Sequence, residues 1–314
     1  MVCARKEHGM KRFVYQILFP LTTAMIWGSS FVAQSESADH IGAFTFNAAR
    51  CFAAFVALLL LLPLLRRLTG NEASSAAEKP SFRSLLWGGF CCGTALALAC
   101  NLQQLGMVAG ASAGKTSFIT TLYVVLVHIC GLFLKKKVPL SVWLGVMIAV
   151  AGLYCLCIKE DFTVVMSDFL VLLCAFAYTL QILVIDHFAP HHDGVALSCV
   201  QFFFTAVWSA VGMLIFEMDQ FSWQSLGLCV GDILYVGILS GGVAYTLQIL
   251  AQKDSGNPTM VSLLLSLESV FGALAGAIFL HETLSGKEYF GCALMLIAVV
   301  LAQIPAPKRK NAVQ

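Results

Sequence analysis

Charge is scarce in this 314-residue chain: 11% of its residues are Asp, Glu, Lys or Arg, against roughly 25% in an ordinary soluble domain, while 59% are hydrophobic. A water-soluble fold could not hide that much apolar surface. Acidic and basic residues nearly cancel to a net +2, so no strong positive field invites nucleic acid. The chain also lacks a Cys-x-x-Cys pair. All but Cys3 and Cys157 of its twelve cysteines lie well inside apolar runs, where they read as small packing residues. No glycine-rich phosphate-binding loop is present, which argues against direct use of ATP. Neither a cofactor nor a metal is expected.

What the chain has is long apolar runs, repeated from end to end. A bilayer core of about 30 Å needs about 20 apolar residues to cross it. Ten such stretches can be drawn: Phe13 to Gln34, Gly42 to Leu65, Leu85 to Val108, Ser112 to Leu134, Val138 to Ile158, Ser167 to His187, Gly194 to Phe216, Asp232 to Gln252, Pro258 to Leu280 and Lys287 to Ile304. The expected fold class is therefore an all-α polytopic membrane protein, with the lipid bilayer as its solvent. The basic residues fall mainly beside the termini and the even-numbered spans' far ends, as at Arg66, Arg67 and Lys135 to Lys137, with only Lys115, Lys159 and Lys287 at the other face. The positive-inside rule then places both termini of this multi-pass chain in the cytoplasm. The N-terminus reads as a retained first span, not a signal peptide.

The spans repeat. Sliding Ala24 onto Ala175 also lays Trp27 on Tyr178, Phe52 on Phe203 and Arg50 on Gln201; a slightly smaller offset lays Gly110 on Gly256 and Gly145 on Gly291. This predicts two five-helix units, 1–158 and 159–314. An odd number of spans per unit turns the second upside down relative to the first, a design recurrent in secondary transporters. Gly89-x-x-x-Gly93 and Gly237-x-x-x-Gly241 have the spacing that lets helix backbones approach closely in lipid.

Two charges stand out within the spans. At 1.5 Å rise per residue, Arg50 lies about 12 Å from one end of its span and Glu268 about 15 Å from the opposite end of its own, so both sit near the midplane. A midplane arginine costs about 2.5–3.5 kcal/mol on insertion scales and requires a partner or a wet cavity. Either the two form a fixed ion pair, or they meet an ionic substrate or a coupling proton. Asn47 shares the face of Arg50, Thr120 and Tyr123 share a face of the fourth span, and Gln201 takes the Arg50 position in the second unit. Gln104 and Gln248 lie toward opposite ends, where they would line vestibules, and Trp27 and Tyr245 are candidate gate or cavity aromatics. Arg50, Asn47, Tyr123, Thr120, Gln201, Gln248, Glu268, Trp27, Gln104 and Tyr245 form the candidate substrate site. Packing and interhelical hydrogen bonding are the alternative role for the uncharged members. His128 is a second titratable group, and His187, His191 and His192 read as a solvated turn.

"WGSSFVA" in the first span, "FTFNAAR" in the second and "LSLESVFGALAGAIFLHETLSGKEYFGCALMLIAVVLA" near the end together resemble the EamA-type drug/metabolite transporter family. Glu282 is the acid that precedes the final helix in that pattern. The sequence departs from it at "FLKKKVPLS" and at His128, where related sequences often have proline, a change that would alter a helix kink. The resemblance implies a cytoplasmic-membrane carrier of small metabolites, often amino acids or their analogues, commonly working outward and in some cases proton-coupled. A non-transporting sensor or scaffold on the same fold is the alternative, and an intramembrane enzyme finds no nucleophile and base at one depth. The oligomeric state stays open.

Overall fold

A computed structural model describes residues 14–68, 81–130, 140–157, 165–254 and 264–302. These residues form helices and turns, with no strand among them. Ten membrane helices follow in order: α1 Val14–Ala38, α2 Ala43–Leu68, α3 Phe82–Val108, α4 in two pieces Ala113–Thr121 and Tyr123–Cys130, and α5 Leu140–Cys157. Then come α6 Met166–Phe188, α7 Gly194–Phe216, α8 from Val230 to Asp254, α9 Glu268–Phe279 and α10 Gly286–Ala302. A short helix, Trp223–Leu228, lies between α7 and α8. Six of them, α1, α2, α3, α6, α7 and α8, are long and apolar enough to cross a bilayer within the described residues. The basic clusters at the termini and at Lys135 to Lys137, the start of the ninth span at Pro258, and the side chain of His128 lie outside those residues.

The turns at residues 39–42, 109–112, 217–222 and 280–285 gather at one end of the bundle, here the distal end. Val14 at the start of α1 and Ala302 at the end of α10 lie toward the other. The dominant helix pairs are α2 with α7 and α8, α5 with α10, α4 with α6 and α9, α1 with α8 and α9, and α3 with α6 and α7. Exchanging α1–α5 for α6–α10 maps this set onto itself.

Small residues permit the closest approaches. A Cβ at Gly93 would stand 2.6 Å from the carbonyl oxygen of Gln201 on α7, and one at Gly237 would stand 2.5 Å from that of Arg50 on α2. The two expected Gly-x-x-x-Gly motifs thus seat α3 on α7 and α8 on α2.

Four helices depart from ideal geometry: α1, whose first residues Val14–Leu18 form a π-helix, and α4, α8 and α9. The α4 helix breaks at Leu122, whose N–H reaches back to Ile119 in a tightened turn at 3.2 Å. This break lies six residues before His128, not at it. The path into α9 turns at Ser266 and Leu267, so a fresh helix begins at Glu268. In α8, residues Tyr235–Ala244 form a π-helix. Its wider turn leaves carbonyls available across the interface: Trp27 Nε1 donates to Ser240 O at 3.3 Å, and Thr23 Oγ1 to Ala244 O at 3.3 Å.

Candidate binding site at mid-depth

Arg50 lies two turns into α2, 7% exposed. Its Nε donates to Asn47 Oδ1 at 2.6 Å, one turn back on the same face. Asn47 is anchored in turn, its Nδ2 donating at 3.0 Å to both Cys100 O and Asn101 Oδ1 of α3. Phe46 presents its ring 5.7 Å from the guanidinium carbon. Asn47 therefore fixes the near edge of the guanidinium. The four N–H groups on its two terminal nitrogens have no hydrogen-bond partner among the described residues.

Beyond Arg50 stands an aromatic wall. Tyr178 and Tyr245 pack against the cluster that holds Cys51, Cys100 and Phe202. The Tyr178 hydroxyl shares a 3.5 Å contact with Cys100 Sγ and donates to Gln103 Oε1 at 3.4 Å; Gln103 Nε2 donates to Thr120 Oγ1 at 3.0 Å. Tyr245 meets Trp27 and Phe202 edge-on, with ring centroids 5.2 and 5.3 Å apart. Tyr123 lies 6.3 Å from Tyr178 between ring centroids, and its hydroxyl faces the Glu268 carboxyl.

Glu268 closes the far side. It is 4% exposed and opens α9, where the helix dipole favours a negative charge. Thr121 Oγ1 divides its proton between Ser117 O at 2.8 Å and Glu268 Oε1 at 3.3 Å, so the carboxyl receives a weak share. No ion pair joins Arg50 to Glu268; each has its own polar neighbours. Of the two roles their equal depth left open, the fixed pair is not formed in this structure.

The other candidates divide. Thr120 is buried at the Gln103 contact. Gln201 turns toward Gln181, accepting from its Nε2 at 3.4 Å, and leaves its own Nε2 without a partner. Gln104 donates to Gln34 O at 2.8 Å, nearer the distal end, with its Oε1 unpartnered. Gln248 is half-buried on α8, a turn beyond Tyr245. Gln103, which the sequence places beside Gln104 toward a vestibule, links Tyr178 to Thr120, and Tyr178 was not among the candidates. The repeat alignment of Trp27 with Tyr178 held the signal for it, since both turn out to be wall aromatics. His192, in the turn after α6, bonds Phe188 O at 2.9 Å and Ser84 Oγ at 3.0 Å, and no cluster suited to a metal occurs among the described residues.

The EamA-like transporter family model matches residues 14–158 and again 165–303. The chain belongs to the EamA-like transporter family. It is a membrane transporter, built as the all-helical ten-helix fold of that family. It is 29% identical over 301 residues to a protein of Archaeoglobus fulgidus named an uncharacterized transporter, covering 94% of this chain and 88% of that one. It is 26% identical to the uncharacterized transporter YwfM of Bacillus subtilis, covering 96% and 98%. A solved crystal structure superposes with a TM-score of 0.62 at 16% identity, over 91% of this chain and 96% of the other, a likeness of fold.

Proposed function

We propose that this EamA-family chain is a secondary transporter that exports a small metabolite across the cytoplasmic membrane by alternating access. Its termini lie in the cytoplasm, and residues 1–158 and 159–314 form two inverted units that rock about the mid-depth site. The observation that carries this reading is the open edge of Arg50: a charge so costly at that depth, held by one contact to Asn47 and turned toward an aromatic wall, is arranged for a ligand. Support comes also from the exchange symmetry of the helix pairs and from the breaks in α4 and α9, since discontinuous helices recur around midplane sites in transporters.

On this reading Arg50 takes a planar anionic group of the substrate in two parallel hydrogen bonds, and Asn47 holds its orientation. Glu268 takes a cationic group or a proton, with Tyr123 beside it. Trp27, Tyr245 and Tyr178 enclose the remainder. Amino acids and their analogues satisfy these demands. Flux of a metabolite panel into proteoliposomes, with and without a pH gradient, tests the proposal. Saturable flux of a carboxylate-bearing compound that responds to the gradient supports it; absence of flux for every compound, with no substrate-induced stabilisation, would contradict it.

A further inference from the structure

The distal end carries two carboxylates that the substrate site does not use, one buried and one half-buried. Glu217, 8% exposed just past the end of α7, accepts from Phe44 N at 2.9 Å, Thr45 N at 2.8 Å and Thr45 Oγ1 at 2.7 Å. Glu282, just past the end of α9, accepts from Ala113 N at 2.6 Å and Gly114 N at 2.9 Å. Neither α2 nor α4 has an acid in its own first turn. Each helix therefore has its orphan N–H groups satisfied by a carboxylate from the other half of the chain.

Both carboxylates sit in notches kept free of side chains. A Cβ at Gly42 would collide with the Glu217 carboxyl, and one at Gly276 would stand 2.5 Å from Glu282 Oε2. His281 takes a left-handed φ of 53° immediately before Glu282, a conformation uncommon for a residue with a side chain, and so turns the acid back toward α4. The capped helices are the ones that carry Arg50 and Asn47 on α2, and Thr120 and Tyr123 on α4. A movement that separates the halves at this end must break both caps.

We propose that Glu217 and Glu282 are paired latches of a distal gate, closed in this conformation, and that access to the Arg50 site from the distal side requires both carboxylates to leave the α2 and α4 N-termini. The proposal rests on the alternating-access reading above. Its test reads accessibility, not flux, so that the two can fail separately. Cys100 lies beside the site, its Sγ on the Tyr178 hydroxyl, and serves as the native reporter. A membrane-impermeant maleimide is applied to each face of sealed vesicles, and labelling of Cys100 is read peptide by peptide. The distal face is defined as the one from which an Asp219→Cys marker reacts.

In the Glu217→Gln/Glu282→Gln protein, distal labelling of Cys100 should rise at least about tenfold over wild type, with a smaller rise in each single variant and no rise from the opposite face. Thr45→Val, which removes one of three donors from Glu217 and keeps the side chain's shape, should raise it about two- to threefold. Unchanged distal labelling in a folded double variant overturns the proposal. If the double variant unfolds and labels from both faces, Thr45→Val decides, and no rise there overturns it. Gated labelling without flux of any compound would leave the latches standing and remove the transport reading. Flux with ungated labelling would do the reverse.

Discussion

The distal end and the centre of this bundle treat their charges in opposite ways. At the distal end charged groups are supplied with partners: Glu217 has three donors, Glu282 two, and Lys115 bridges Asp168 at 3.3 Å and Glu288 at 3.4 Å. Ser37 at the end of α1 donates to Asp232 at the start of α8 at 3.1 Å. At the centre Arg50 has one hydrogen-bond acceptor for its five donors, and Glu268 has the Tyr123 hydroxyl and a shared proton from Thr121. A buried polar group without a partner costs about 1–3 kcal/mol, more when charged. Where a fold meets that demand internally, the groups hold shape; where it leaves charged groups unmet at mid-depth, they are kept for something that comes and goes.

The contrast can be broken most forcefully at Arg50. Arg50→Ala should lower transport on the order of 100-fold, since it deletes charge-assisted hydrogen bonds to substrate, while thermal stability stays near wild type. Initial flux in proteoliposomes and a melting curve in detergent check this. A large loss of stability with intact flux would move Arg50 to the structural side.

Next in size is packing. Gly93→Val puts a branched side chain where the Gln201 carbonyl and the Phe204 Cβ stand within 2.6 and 2.7 Å of a Cβ. It should destabilise the protein by about 1–3 kcal/mol. Thermal unfolding that matches wild type would show that α3 and α7 are not so closely seated.

Asn47→Ala leaves Arg50 Nε and the Asn101 side chain short of a partner, with an expected loss of about 1–2 kcal/mol and a raised apparent KM. Paired flux and melting measurements separate the two effects. The smallest effect concerns the charge pair itself. The Arg50→Ala/Glu268→Ala double variant should show a stability equal to the sum of the single changes within about 0.5 kcal/mol. Strong rescue of one single variant by the other would mean that the two charges do pair in the membrane.

Much of the fold was legible in the sequence because bilayer thickness fixes span length and because each apolar run is bounded by charge or by turn residues. Arg50 and Glu268 were legible for the same reason, as charges where charge is costly. The break at Leu122 was not: it lies between Thr121 and Tyr123, with neither proline nor glycine beside it, and depends on neighbours that supply contacts in place of a continuous helix. The π-helix of α8 was hidden likewise, since the side chains that use its carbonyls, Thr23 and Trp27, lie some two hundred residues earlier. Glu217 stands at the end of an apolar run, where an acid reads as solvated; only the folded chain brings Phe44 and Thr45 to it. Glu282 was noticed through the family pattern, without the helix it caps. Equal depth left open whether Arg50 and Glu268 pair or meet a ligand, since depth is one coordinate of three.

The claim at the centre is that the open edge of Arg50 receives an anionic group of the substrate. The most direct measurement is ligand-induced thermal stabilisation of the purified protein by matched pairs of compounds, each a carboxylate and its methyl ester, in wild type and in Arg50→Gln. Wild type should be stabilised by one or more of the carboxylates and not by the corresponding esters, and Arg50→Gln by neither. Equal stabilisation by acid and ester in wild type, or stabilisation that survives in Arg50→Gln, would contradict the account.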